Sequence, residues 1–342
     1  MQKKLLTMAV AGALAAPVAA LAQVTLYGSI DTGIKNQSKV LNGSGGTDSK
    51  MSIDSQIKKS NRWGIKASDD LGGGLMANFN LEGGFNSDNG AGPSTGGGLD
   101  FARRAVLGFS KGGNSVDLGR EYTLNFKTQG VYDPLSHDYG VSAGIQGGVG
   151  TAGTRTSDSI TGAFRFGTGG VAVQYGMGEG VSPNDGGNYT AFNGDFAFGP
   201  VTLGAAFGSR ENAAGTLDTT TTNIGGNYKM GAFTFRLGMG MEEVDAGNES
   251  QKISGGVQYD FSPVLTGRLS YYNLTIDDAA GTEIGSAKTM AVNLEYSLSK
   301  RTLVYVVFDK KTLDGNQNTG ATVGTSLRDG AAGIGAGITH VF

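Results

Sequence analysis

The stretch AVNLEYSL at residues 291–298 alternates apolar with polar side chains. A period of two is typical of a β-strand with one apolar face and one polar face. The same alternation runs through FTFRLGMGM at 233–241 and through KISGGVQYDF at 252–261. A helical period of 3.6 does not persist anywhere between Gln23 and Phe342. The sequence therefore predicts an all-β fold.

Tight turns and long connections alternate between these strands. The seven expected turns are rich in glycine, proline and short polar residues and lie at 69–74, 111–115, 167–170, 198–200, 229–232, 260–263 and 298–301. The eight connections lie near 35–60, 86–100, 122–158, 178–190, 211–222, 242–251, 274–288 and 312–330. They join sixteen strands, the first at 24–34 and the last at 333–342. An even strand number, with short turns on one rim and long loops on the other, predicts a transmembrane antiparallel β-barrel of about 16 strands.

Strands of a soluble β-sandwich also alternate apolar and polar residues, so the polar face of the strands has to distinguish a barrel from a sandwich. A sandwich needs apolar faces that meet in a core. In GVAVQYGMG at 170–178 and NIGGNYK at 223–229 the second face carries small or polar residues instead. Aromatic residues stand at strand ends, as at Phe198 and Phe261, where a membrane barrel places its aromatic girdles. A sixteen-stranded barrel with such an inner face is wide enough to hold an aqueous channel.

The first 22 residues have the pattern of a secretory signal peptide. Lys3 and Lys4 precede an apolar run, and Ala20-Leu21-Ala22 matches a cleavage site of small residues. A transmembrane anchor is the alternative, but the segment is short and lacks charged stop-transfer residues. We therefore expect a signal peptide at 1–22 and the barrel at 23–342. Removing the signal leaves 25 of the 27 basic residues against 30 acidic ones, which is a net charge of −5.

Composition and motifs argue against an enzyme. The chain has no cysteine and two histidines, so neither a thiol nucleophile nor a transition-metal site is expected. Its basic residues are scattered singly, which disfavours nucleic-acid binding. The motif GFSKG at 108–112 matches the nucleophile elbow G-x-S-x-G, but Ser110 opens a hairpin instead of joining a strand to a helix. The available bases are His137 and His340. We expect no enzymatic activity and no catalytic, cofactor or metal site.

The longest connection, at 122–158, is the candidate for a constriction of the channel. It follows the strand VDLGREYTL at 116–124, and acidic and aromatic residues lie at its start and along it: Glu121, Tyr122, Asp133 and Tyr139. Its many glycines permit tight folding. The sequence therefore predicts a long third loop folded into the lumen, and the alternative is a solvated surface loop.

Five segments, in order along the chain, are similar to those of one known family. They are VTLYGSIDTGI at 24–34, NRWGIKASDDLGGGLMANFNLE at 61–82, LGREYTLNFKTQGVYDPL at 118–135, LSKRTLVYVVFDK at 298–310 and GITHVF at 337–342. The chain resembles the general trimeric porins of β-proteobacteria over its whole mature length. The resemblance implies a homotrimer of sixteen-stranded barrels in the outer membrane, with the third loop folded into each lumen opposite a set of wall arginines.

The expected constriction combines basic residues of the wall with acids near and within the third loop. The resemblance implies Arg62, Arg103 or Arg104, and Arg155 on the wall, and Asp133 on the loop, beside the Glu121 already noted. The strand alternation independently turns Arg62 and Lys66 towards the lumen. Of the adjacent pair, the strand alternation favours Arg104 as the residue that faces the lumen, and the resemblance favours Arg103. Both residues are therefore kept as candidates, since a bulge could reverse the alternation.

The expected function is diffusion of small hydrophilic solutes and ions through a water-filled channel. An excess of arginine at the narrowest point predicts a weak preference for anions despite the net charge. The alternatives are a substrate-specific outer-membrane channel and a barrel that carries an enzyme or adhesin. Phe342, with His340 and Ile338 on the same face, resembles the signal read by the outer-membrane assembly machinery, or is an ordinary girdle aromatic. The expected partners are two further copies of the chain, that machinery, outer-membrane lipid and the transported solutes, without a cofactor or nucleic acid.

Overall fold

A computed structural model of the chain describes residues 24–42, 44–92, 100–138, 153–178, 187–316 and 327–342. These residues form seventeen strand segments and one α-helix. The segments are β1 (Thr25–Leu41), β2 (Thr47–Ser55), β3 (Arg62–Asp70), β4 (Met76–Gly84), β5 (Arg104–Lys111), β6 (Asn114–Tyr122), α1 (Leu124–Tyr132), β7 (Arg155–Phe166), β8 (Gly169–Gly176), β9 (Tyr189–Phe198), β10 (Val201–Glu211), β11 (Asp218–Met230), β12 (Phe233–Val244), β13 (Glu249–Ser262), β14 (Leu265–Asp277), β15 (Glu283–Ser297), β16 (Thr302–Gly315) and β17 (Ala332–Val341).

The strands form one closed antiparallel barrel. Neighbours along the chain pair with each other from β3 to β17, and β17 pairs back to β1 over Ser29 to Gln37. β2 and β3 lie end to end along β1: Thr32 pairs with Ser55, and Ser29 pairs with Arg62. They therefore count as one interrupted barrel strand, and the predicted number of sixteen is confirmed. The seven predicted tight turns are confirmed as well, because each lies between two paired strands.

The two faces of the barrel have opposite chemistry. In β15 the side chains of Val292 and Leu294 are about half exposed on the outer face, whereas Asn293 and Glu295 are buried on the inner face. The same arrangement recurs around the barrel, so the outside is apolar and the interior is polar. Aromatic side chains near the turns contact one another on the outside, as Phe233 does with Phe235 and with Tyr259. The period-two pattern of the sequence therefore follows from this inside-out distribution.

Several long connections are shorter than the sequence predicts, and the expectation of a loop over 35–60 is wrong. There β1 continues to Leu41 and β2 pairs with it from Thr47, so the connection reduces to a tight turn. The Asn42 side-chain oxygen accepts hydrogen bonds from two backbone N–H groups inside that turn. Across the pair, Lys35 forms an ion pair with Asp54. Polar residues here continue the ladder beyond the apolar band, so their polarity does not mark a loop.

The connection after β6 contains the helix α1, which the sequence analysis did not predict. Thr123 caps its start, since the Thr123 hydroxyl accepts a hydrogen bond from the Phe126 N–H at 3.3 Å. The buried side chains of α1 are Leu124, Asn125, Thr128, Gln129 and Tyr132, which have helical spacing but are mostly polar. A search for apolar periodicity therefore passes over them. In the described segments, no helix is both long and apolar enough to cross a membrane.

Candidate functional site

The helix α1 lies against the interior face of β8 to β12. Asn125 accepts a hydrogen bond from the Tyr189 hydroxyl of β9 at 3.0 Å. Gln129 donates to the side-chain oxygen of Asn223 in β11 at 3.1 Å and accepts from the Lys252 ammonium of β13 at 2.7 Å. Such a polar helix face matches a polar wall because every buried polar group needs a partner. Residues 124–138 of the third connection therefore contact the inner face of the wall, and residues 139–152 are outside the described ones.

Small residues of the wall make room for the helix. The ring of Tyr132 packs over Gly204 of β10 and Gly225 of β11, where an added Cβ atom would stand 2.3 Å from Tyr132 atoms in both cases. The wall glycines thus allow the close approach of α1. Beyond the helix, the Pro134 carbonyl oxygen accepts a hydrogen bond from Arg236 of β12 at 3.3 Å.

Asp133, the acid expected to face the wall arginines, is buried against a different part of the wall. The residue is 1% exposed, and its Oδ1 accepts hydrogen bonds from the Tyr272 hydroxyl at 2.9 Å and from the Leu135 N–H at 2.8 Å. The carboxylate therefore pins the end of α1 to β14. It does not border the opening described next.

An opening of about 580 Å³ separates α1 and the following residues from the uncovered wall of β3 to β7. The described residues that line it on the wall side are Lys59, Ser60, Arg62, Arg103, Tyr122, Thr154 and Arg155. Those on the loop side are Phe126, Lys127, Gly130, Val131, Ser136, His137 and Asp138. Among these described residues, five are cationic and one, Asp138, is a carboxylate. Lys59, Lys127 and Asp138 were not predicted as site residues. Lys127 lies within the segment 118–135 that resembles the family, but all three residues stand outside the regular strand alternation.

Two wall arginines converge on one tyrosine hydroxyl. Arg103 donates to the Tyr122 oxygen at 2.8 Å, and Arg155 donates to it at 3.0 Å. The Arg155 guanidinium also stacks on the Tyr122 ring, 4.5 Å from its centroid. Tyr122 also stacks on Phe126, which in turn stacks on His137 with ring centroids 4.2 Å apart. This column of planar groups runs from the wall to the loop and fixes the arginine positions.

His137 completes the column as a neutral ring. Its Nε2 lies 3.1 Å from the Phe126 carbonyl oxygen, which can only accept, so the proton is assigned to Nε2. Burial lowers the pKa of His137 below its ordinary value of 6.5. The ring therefore adds no charge to the opening near neutral pH.

Carboxylates behind the opening compensate part of its positive charge. Glu82 accepts from Arg103 at 2.8 Å and lies 3.8 Å from Arg62. Glu121, 2% exposed, lies 3.4 Å from the Lys127 ammonium. With four net positive charges on the lining and two negative charges directly behind it, the opening keeps a net charge of about +2.

Arg104 and Lys66 lie in a second cavity, of about 490 Å³, which is nearer to the turns. Arg104 turns inward, and its guanidinium lies 2.5 Å from Glu121. Arg103 also reaches the interior, because it precedes the first residue of β5 and is not bound by the strand alternation. Lys66 lies over the ring of Tyr27, 5.2 Å from its centroid. The five predicted basic residues thus divide between two cavities.

The sequence that forms this barrel matches the model of a known family. The model described as Gram-negative porin matches residues 7–317. The chain belongs to the Gram-negative porin family.

Curated relatives of the porin family match parts of the chain. An outer membrane porin protein of Bordetella pertussis is 33% identical over 54% of this chain and 49% of its own length. Outer membrane porin protein 32 of Delftia acidovorans is 36% identical over 40% of this chain and 36% of its own length. The major outer membrane protein P.IB of Neisseria meningitidis serogroup B is 28% identical over 52% of this chain and 58% of its own length. The chain spans about half the length of these curated relatives.

Solved porin structures share the fold over nearly the whole chain. The anion-selective porin from Comamonas acidovorans superposes with a TM-score of 0.75 and 22% identity, covering 94% of this chain and all of that one. OmpT of Vibrio cholerae superposes with a TM-score of 0.70 and 17% identity, covering 93% and 97%. At these identities the likeness shows the fold alone.

The remaining predicted residues lie apart from the opening. Ser110 lies in the hairpin of β5 and β6 and accepts a hydrogen bond from Asn78 at 2.8 Å. His340 is 2.9 Å from the Thr302 hydroxyl, and His137 faces Phe126, so neither histidine hydrogen-bonds to Ser110 within the described residues.

Ile338, His340 and Phe342 share the outer face of the barrel end. The Phe342 backbone exchanges two hydrogen bonds with Gly28. The predicted signal peptide at 1–22 and Tyr139 lie outside the described residues.

Proposed function

We propose that the chain is an outer-membrane diffusion porin whose opening passes small hydrophilic solutes and ions and favours anions. The observation that carries the proposal is the lining of the opening, with five cations and one carboxylate among its described residues. Ions are selected in such channels by pore width and by the charge of the lining. Family membership and the apolar outer face of the barrel support the membrane setting. No enzymatic activity is part of this proposal.

The expected constriction residues divide into two roles in this proposal. Arg62, Arg103 and Arg155 border the opening and attract anions. Asp133 and Glu121 are buried and hold the helix and its neighbours in place, so that the third loop narrows the lumen. Because the acids point into the wall and the cations point into the opening, the field there is dominated by positive charge.

Lys66 and Arg104 form part of the entrance on the turn side. Asp117 lines the same cavity and Glu121 is ion-paired with Arg104, so the two cations of this entrance are matched by two carboxylates. The preference for anions therefore rests on the charge of the opening between α1 and the wall.

The proposed assembly is a homotrimer in the outer membrane. The resemblance to trimeric porins supports it, and a solved form of Vibrio cholerae OmpT with this fold is described as a trimer. We further propose that residues 1–22 direct export and that Phe342, with His340 and Ile338, is read by the outer-membrane assembly machinery.

Reconstitution of the purified protein into a planar bilayer tests the function directly. We expect stepwise openings that occur in multiples of three, and a reversal potential in a KCl gradient whose sign shows chloride preference. Swelling of protein-loaded liposomes in sugars of graded size should fall smoothly with solute size. Absence of conductance contradicts the pore, a potassium preference contradicts the role given to the basic lining, and swelling with a single sugar contradicts general diffusion.

A further inference from the structure

The interrupted barrel strand holds six residues that leave the sheet, 56–61, which we call the inner strap. β2 ends at Ser55 opposite Thr32, and β3 begins at Arg62 opposite Ser29. The inner strap thus stands opposite two residues of β1, which makes it far larger than an ordinary bulge. A bulge re-aims the residues that it carries, and here it turns them into the barrel.

Asp31 of β1 fastens the inner strap at three points. Its carbonyl oxygen accepts from the Gln56 N–H at 3.3 Å, its carboxylate accepts from the Lys58 N–H at 3.1 Å, and its own N–H donates to the Asn61 side chain at 2.5 Å. Asp31 is fully buried, and its second carboxylate oxygen accepts from Thr339 at 2.6 Å. Hydrogen bonds to a buried carboxylate are strong, so the strap has a fixed backbone.

The inner strap packs over the wall that α1 leaves uncovered. Ile57, 1% exposed, contacts Leu135 of the third connection and the wall around Tyr305 of β16. The Lys58 ammonium lies 3.4 Å from Glu295 of β15. The helix covers β8 to β12, and the strap continues the same layer over β14 to β16 and β1. The wall of β3 to β7, which carries the arginines, is left to face the opening.

Lys59 is the residue that this arrangement sets at the edge of the opening. It lines the opening together with Ser60 and Arg62. In the parts of the chain that the structure describes, no carboxylate lies within ion-pair distance of Lys59, whereas Lys58 beside it is ion-paired. Its charge acts on passing ions and on the carboxylate of Asp138, which lines the same opening.

We propose that the inner strap is a second constriction element and that Lys59 determines anion preference together with the wall arginines. The proposal rests on the proposed function and deepens it. Two inward segments, and not the third loop alone, define the opening. Lys59 and Arg155 line the opening from different elements, and because electrostatic potentials superpose, both charges contribute to the field that a passing ion meets.

Neutralisation of Lys59 tests its part in selectivity. A charge about 8 Å from the solute path alters the anion-to-cation permeability ratio about twofold at 0.1 M salt. We therefore expect Lys59→Gln to lower this ratio about twofold, as measured by reversal potentials, with single-channel conductance nearly unchanged. The matched control, Lys300→Gln, removes the same charge from an exposed turn and should leave the ratio at the wild-type value.

A cysteine cross-link tests the position of the strap without relying on conductance. Because the natural chain has no cysteine, Ile57→Cys combined with Leu135→Cys offers a single possible disulfide. We expect oxidation of the assembled protein to link the two peptides, as detected by mass spectrometry. The cross-linked channel should conduct as the reduced one does.

The outcomes separate failure of the strap from failure of the pore. A wild-type permeability ratio for Lys59→Gln, when Arg155→Gln lowers the ratio, overturns the proposal and leaves the porin function intact. Failure of the cysteine pair to link in the assembled barrel overturns it as well. If the wild-type protein does not conduct at all, the proposed function fails, and a formed cross-link still supports the strap as a structural element.

Discussion

Arg155 offers the sharpest test of how charge sets selectivity, because it borders the opening and forms no ion pair among the described residues. Its guanidinium is held by the Tyr122 hydroxyl at 3.0 Å and by the Arg103 carbonyl oxygen at 2.8 Å. An ion passing about 5 Å from this charge in water interacts with it by about 0.8 kcal/mol, which screening at 0.1 M salt reduces to about 0.5 kcal/mol.

The substitution Arg155→Gln removes this interaction energy for both chloride and potassium. Chloride loses the attraction and potassium loses the repulsion, so the permeability ratio changes by about 1 kcal/mol, or about fivefold. At 1 M salt the screening length falls to about 3 Å, and the expected change shrinks to less than about twofold. Reversal potentials of single channels in KCl gradients at both salt levels measure the two values.

Two variants serve as controls for Arg155→Gln. Arg155→Lys keeps the charge and should hold the ratio within about a factor of two of wild type. Arg165→Gln changes the same residue type at the turn end of the same strand, about 30 Å away along β7, where screening at 0.1 M salt removes its effect. An unchanged ratio for Arg155→Gln at 0.1 M salt would refute the reasoning, and so would an equal change at both salt levels.

Three further predictions concern the docking of the third connection. Tyr272→Phe removes the donor to the buried Asp133 carboxylate at 2.9 Å, so we expect the free energy of docking to fall by about 1.5–3 kcal/mol, measured by limited proteolysis. Gly225→Ala places a Cβ atom 2.3 Å from Tyr132, which must shift the helix and should increase the noise of single-channel currents. Because burial lowers the pKa of His137, its contribution to docking is complete above about pH 6.5 and is lost as the pH falls towards the lowered value, which hydrogen exchange of the loop should show.

Matched variants on the outer face control the first two of these predictions. Tyr228→Phe removes a hydroxyl from an exposed ring and should leave proteolysis unchanged. In Gly226→Ala the added Cβ atom lies 2.8 Å from the flexible end of Leu203 and does not meet the helix. We therefore expect the noise of single-channel currents to stay at the wild-type level. For the third prediction, His137→Gln should abolish the pH dependence that wild type shows below about pH 6.5. Equal behaviour of a variant and its control would contradict the corresponding prediction.

The strands were predictable because one physical rule applies all around the barrel. Lipid requires an apolar outer face and the lumen tolerates a polar inner face, so residues such as Val292 and Asn293 must alternate. The tight turns were predictable because glycine stands where the backbone needs positive φ, as at Gly199 and Gly231. These signals are local, and the sequence therefore contains them in full.

The helix and the partners of the acids were not predictable in the same way. The buried face of α1 is polar because its wall is polar, so it has no apolar stripe to detect. Asp133 is near Tyr272, 139 residues away in the chain, and no local pattern selects that partner over the wall arginines. The sequence does not decide whether Arg103 or Arg104 faces the lumen. The strand alternation begins only at Arg104, the first residue of β5, and does not extend to Arg103. Lys59 escapes detection because the inner strap interrupts a strand.

The seam between β1 and β17 has a consequence for how the molecule forms. The Thr339 hydroxyl bonds to Asp31 across 308 residues of sequence, and the two strands pair from Ser29 opposite Val341 onwards. The barrel can therefore close only when both ends of the chain are present, and until then two strand edges stay unpaired. Contacts of such high contact order form slowly. A nascent chain must accordingly be shielded from self-association for as long as the ring is incomplete.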